Sequence, residues 1–111
     1  PLVAHRNDEA VVNLLKASSE WGEFDALELD RLTDGHALVH LSLYVFEWWD
    51  FPACFNFDQK VLERAMLLFE SRYVNDNPYH NSAHAADVVQ ACHYILHLGG
   101  LGSLLTPLET F

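Results

Sequence analysis

The chain has 111 residues, half of them hydrophobic and 13% aromatic, which suits one globular domain or part of one and excludes a disordered segment. Sixteen acidic residues against six basic ones leave a formal net charge of -10 with no basic cluster, a balance that disfavours nucleic-acid and membrane-surface partners because it repels polyphosphate and anionic lipid. No apolar run reaches the roughly 18 to 20 residues of a bilayer span and the N-terminus lacks a signal-peptide plan, so no membrane insertion is expected.

Cys54 and Cys92 lie far apart and outside any C-x-x-C pattern, which points to free, mostly buried thiols and a cytoplasmic setting, or the cytosolic face of a membrane through regions outside this chain. Ala10, Val11, Leu14 and Leu15 recur at helical spacing after a capping candidate at Asn7 or Asp8, and this first helix ends near Ser18 and Ser19. A second short helix follows Asp25, with Phe24, Leu27 and Leu32 expected to face the core, and Thr33-Asp34-Gly35 closes it. From His36 to Asp50 apolar residues lie nearly all round, as in a helix buried between others, with Pro52 expected to stop it. Asn56 or Asp58 caps the next helix, in which Leu62, Ala65, Phe69 and Tyr73 share a register. Val74 to Pro78 forms a polar turn. A helix from about Asn81 to His97 then ends at Gly99-Gly100. Thr106 caps a last helix with Pro107 at its first position and Glu109 near its positive end. No strand alternation and no repeat is present, so the class is all-α.

The spacing H-x-x-x-H occurs three times, at His36 and His40, His80 and His84, and His93 and His97, so by itself it identifies nothing. Residues four apart on a helix lie about 40° apart around its axis and share a face. His93 falls about 180° from His84, and His93, His97, His36 and His40 are expected at the surface or a polar rim. A zinc protease would need a glutamate next to the first histidine as general base; the residue there is Asn81, which cannot take a proton, and that class is excluded. What sets His80 and His84 apart is their frame of Pro78, Tyr79, Asn81, Ala85, Ala86 and Asp87. The same frame also fits a capped helix with an alanine-rich contact face. His84, Val88, Ala91 and Ile95 share one face within about 40°, which predicts a buried stripe ending in an imidazole. A metal backed by a further acceptor, or a carboxylate, would satisfy such a ring.

The run Asn-Pro-Tyr-His-Asn-x-x-His-Ala-Ala-Asp-Val-x-Gln, from Asn77 to Gln90, resembles the signature of the class I 3′,5′-cyclic-nucleotide phosphodiesterase catalytic domain. Trp21, Phe24-Asp25, Leu67 to Tyr73, His93 to Leu96 and Leu105 to Glu109 extend the resemblance over nearly the whole chain. The stretch after the motif is most similar to the calmodulin-stimulated branch, whereas Ala85 to Gln90 is equally similar to the cyclic-AMP-specific branch. The resemblance implies the N-terminal subset of an irregular multi-helix, HD-type domain that hydrolyses cyclic AMP or cyclic GMP to 5′-nucleotides with two metals, zinc and magnesium or manganese. It implies that His80 protonates the leaving 3′ oxygen, that His84 is a metal ligand, and that Tyr79 and His80 border the substrate. The family's other ligands and its purine-gripping glutamine find no match here. The chain is therefore expected to be a piece that needs the rest of the catalytic domain, inactive alone and exposing apolar surface. A non-catalytic helical regulatory or interaction module with the same architecture is the alternative.

Overall fold

A computed structural model describes residues 5–111, and the described residues form helices and turns with no strand. Helix α3 (Ala37–Trp48) is the centre: Ala37 through Leu43 are all buried, and Val45 as well. Around it pack α1 (Glu9–Ala17), α2 (Ala26–Leu32), α4 (Phe51–Cys54), α5 (Gln59–Ser71) and α6 (Ser82–Leu98). A 3₁₀ turn (Leu101–Ser103) and the short α7 (Pro107–Thr110) follow. Small residues let α6 come close, since Ala83 and Ala86 are buried on its inner face.

Side-chain caps form at four helices, all but that of Asp25 expected. Asp25, Asp58 and Asn81 accept amides of the first turns of α2, α5 and α6, and Thr106 with Glu109 makes a reciprocal capping box on α7. Asp8 occupies the cap position of α1 but makes no cap bond; its carboxylate binds His5 Nδ1 instead. The N-terminus of α3 has no local cap. Asp30 from α2 accepts the Ala37 amide at 3.2 Å, and Glu70 from α5 accepts the Val39 amide at 3.1 Å. Two carboxylates from other helices thus face the positive end of α3, where the helix dipole favours negative charge.

That demand alters the expected register of α5. Its buried residues are Glu63 and Glu70, whereas Phe69 and Tyr73 are 59% and 42% exposed. Glu63 pairs with Arg6 at 2.7 Å, and Glu70 reaches both His36 Nδ1 and the first turn of α3. Turning these acids inward turns Phe69 and Tyr73 outward. In α2 the inner positions are Ala26 and Leu29, and Leu27 is 73% exposed, contrary to expectation. Pro52 does not end α3 directly. The chain leaves α3 through Asp50 in the left-handed region, and Pro52 lies in the first turn of α4, where no helical amide is lost. Cys54 and Cys92 are exposed rather than buried, because one lies at the end of α4 and the other on an outer face of α6.

His93 and His40 are also corrections: they are 1% and 3% exposed, not rim residues. Trp49 Nε1 donates to His93 Nδ1 at 2.9 Å, and His93 Nε2 lies 2.9 Å from Ser19 Oγ. An indole nitrogen only donates, so Nδ1 is the bare nitrogen and Nε2 carries the hydrogen that goes to Ser19. Gln90 adds a bond to the Ser18 carbonyl at 3.0 Å. One face of α6 therefore fastens the end of α3 and the connection from α1 to α2. His36 caps nothing and pairs with Glu70, while His97 is exposed and lies against Trp48. The radius of gyration, 13.5 Å, is close to the roughly 13 Å of a compact chain this long. Even so, Val61, Leu68, Val74, Leu104 and Leu108 are all more than half exposed, in keeping with the expected apolar surface.

Burial, followed by the nearby His97, lowers the His93 pKa from 6.5 to about 4. A third reason is geometric, because a second ring proton would face the Trp49 N–H. Between those two values the unfolded chain binds more protons than the fold, so stability is complete above pH about 6.5 and falls as pH drops towards about 4, by at most ~3 kcal/mol. His93→Gln is expected to lower the urea midpoint at neutral pH and to flatten this slope. A wild-type slope persisting in the variant would assign it to another group.

Candidate functional site

The turn before α6 is held by three asparagines. Asn77 Oδ1 reaches past Pro78 to accept the amides of Tyr79 and His80, each at 3.1 Å. Asn81 works at both ends of its amide: Oδ1 accepts the His84 amide at 2.9 Å, and Nδ2 donates to the Asn77 carbonyl at 3.1 Å. Asn75 Oδ1 accepts from Ser82, from the amide at 3.3 Å and the hydroxyl at 3.1 Å. Asparagine suits these tasks because its short side chain reaches backbone groups two to four residues on. By sequence Val74 to Pro78 is a polar turn and Asn81 a capping candidate, but the side-chain bonds of Asn75 and Asn77 were not expected. The signal available was an asparagine directly before a proline, followed by a second asparagine at the helix cap.

This turn brings Tyr79, His80 and His84 together. The Tyr79 ring lies on His84 with centroids 4.3 Å apart and planes 33° apart, and it meets His80 edge-on at 4.9 Å. The two imidazoles are 6.0 Å apart. Tyr79 and His80 are exposed, and His84 is half-buried. His80 and His84 open onto a groove of about 570 Å³ between α3, α5 and α6, walled by Leu38, Phe46, Met66, Phe69 and Val88. The expected stripe below His84 is not core: Val88 lines this groove and is 50% exposed, and Ile95 is 48% exposed. The buried face of α6 runs through Ala83, Ala86, Gln90 and His93, since the alanines admit α3 and leave no room for valine or isoleucine there.

Asp87, one turn beyond His84, was not singled out from the sequence as a site residue. Burial raises its pKa, the neighbouring His84 opposes that rise, and Asp25 adds to it. Neither ring nitrogen of His84 is hydrogen-bonded to a described residue, which leaves an imidazole lone pair for a metal or a proton. Among the described residues no three His, Cys, Asp or Glu side chains gather as a metal site. His84 could thus supply only one of the about four donors that a zinc site needs. Ser19 Oγ also lies 2.9 Å from His93 Nε2, but His93 donates there and cannot act as a base toward Ser19. No helix among the described residues is long and apolar enough to cross a membrane.

A family model described as 3′5′-cyclic nucleotide phosphodiesterase matches residues 79–111. The chain is 37% identical over 86 residues to the high affinity cAMP-specific and IBMX-insensitive 3′,5′-cyclic phosphodiesterase 8 of Drosophila melanogaster, covering 78% of this chain and 9% of that protein. It is 35% identical over 103 residues to the human dual specificity calcium/calmodulin-dependent 3′,5′-cyclic nucleotide phosphodiesterase 1C, covering 92% of this chain and 14% of that protein. A 3′,5′-cyclic-AMP phosphodiesterase 4 of Dictyostelium discoideum is 35% identical over 92 residues, 83% of this chain and 9% of its own length. The chain thus spans from 9% to 14% of the length of these relatives.

Loss of a helix cap costs typically ~1 kcal/mol. Asn81→Ala is expected to lose about that much in thermal or urea unfolding, with Asn81→Asp between it and wild type because aspartate keeps the cap but not the donor to Asn77. Equal stability of wild type and Asn81→Ala would remove the cap from the account.

Proposed function

Because the chain is homologous to a segment of the 3′,5′-cyclic nucleotide phosphodiesterases, we propose that it forms part of a catalytic domain that hydrolyses cyclic AMP or cyclic GMP to 5′-nucleotides. The observation that carries this reading is the convergence of Tyr79, His80 and His84 at the mouth of one groove. In this reaction water adds to phosphorus, and the bond from phosphorus to the 3′ oxygen breaks. The departing oxygen needs a proton, and the exposed His80 imidazolium supplies it. Imidazole is the side chain most often used for such a transfer.

His84 is the metal ligand of this reading, one donor among the several that zinc and a second ion, magnesium or manganese, require. Such metals, when bound, polarise the phosphate and activate the attacking water. The anion needs that help, since the chain is strongly acidic. Tyr79 borders the substrate at the mouth of the apolar groove. We assign the remaining ligands and the base-recognising residues to parts of the domain outside these 111 residues.

In a polypeptide carrying the complete domain, His80→Ala is expected to lower cyclic-nucleotide hydrolysis at saturating metal by about 10² to 10⁴-fold, the usual contribution of a general acid. Activity within a few-fold of wild type would remove the acid role. His84→Ala is expected to lower bound zinc in elemental analysis, and undiminished zinc would refute the ligand assignment.

A further inference from the structure

We propose that Asn77 is a positioning residue for His80, its side-chain carbonyl fixing the turn that presents the Tyr79 and His80 rings to His84. The inference rests on the reading of His80 as proton donor. His80 is exposed, and its ring is bordered by Tyr79 and His84 at 4.9 and 6.0 Å rather than packed in the core. The direction in which its Cα–Cβ bond leaves the chain is therefore set by its backbone. That backbone is set by Asn77, whose single Oδ1 gathers the amides of Tyr79 and His80, while the Asn77 amide donates to Val74 O at 3.0 Å and its carbonyl takes Asn81 Nδ2 at 3.1 Å. Pro78 has no amide to compete for Oδ1 and holds its own φ. Asn77 is itself exposed, so these four bonds shape the turn and add nothing to core packing. Only the oxygen of the Asn77 side chain is used; its Nδ2 bonds to no described residue. Aspartate offers an acceptor in the same place and alanine offers none.

The test compares N77A and N77D in the complete metal-loaded domain, with bound metal and circular dichroism as folding controls. A displaced proton donor costs roughly 10- to 100-fold in rate, so N77A is expected to lose about that much in kcat with KM and bound metal within about twofold. N77D is expected to recover to within about threefold. N77S, whose hydroxyl is a weaker acceptor of the same kind, should fall between them and serves if N77A does not fold. In the same samples the His80 ring resonance, assigned with H80Q, should shift or broaden in N77A and remain in place in N77D. Equal loss in N77A and N77D would mean that the amide nitrogen is what matters and would overturn the proposal. A raised KM at unchanged kcat would make Asn77 a substrate contact, which also overturns it. An undisturbed His80 resonance in N77A does so as well. A disturbed resonance at unchanged kcat supports the positioning and removes the proton-donor role instead.

Discussion

Helix α3 is apolar around nearly its whole circumference, so it is stable only if other segments cover every side of it. Burying its side chains supplies the main driving force, on the order of 1.5 to 3 kcal/mol for each large one. The same burial takes its first amides away from water, and an unsatisfied buried amide costs about 1 to 3 kcal/mol. Asp30 and Glu70 meet that need from two neighbouring helices. Covering the sides and capping the end are thus one constraint, and it fixes where α2 and α5 stand.

The groove beside the histidines is a product of that constraint. Once Glu70 and Glu63 point inward, α5 shows Phe69 and Tyr73 on the side that faces away from α3's first turn. On α6, Ala83 and Ala86 take the contact with the core, which leaves Val88 on the opposite bank. His84 stands where these two surfaces meet. Its imidazole is half-buried because it lies at an edge of the core, and Tyr79 closes one face of the ring.

Much of this was legible in the residues. Helix starts were, because caps act over two or three residues: Asp25, Asp58, Asn81 and Thr106 each do what their type and position imply. The all-round apolar α3 was as well. Buried faces of the amphipathic helices were less so, since periodicity assumes that the most apolar side goes in. In α5 two carboxylates went in because they had partners in Arg6, His36 and the Val39 amide of α3, partners 31 to 57 residues away that no local pattern reveals. His93 is the same case, its fate decided by Trp49 and Ser19. For the candidate site, the histidine spacing carried little information and the surrounding motif carried nearly all of it. The role of the asparagines became visible only with the turn's geometry.

The bonds from Gln90 and His93 to Ser18 and Ser19 span 72 and 74 residues of sequence, and this separation has a kinetic meaning. Closing so long a loop must precede the contacts that reward it. The chain between α3 and α6 is also roughly 30 residues long, so during synthesis at about 5 to 20 residues per second α3 waits a few seconds for the helix that covers it. Until α6 emerges, the most apolar segment of the protein has as cover only α1, α2 and, as they appear, α4 and α5. Slower translation between Trp49 and Asn81 lengthens the exposure, and a holdase chaperone has its natural target there.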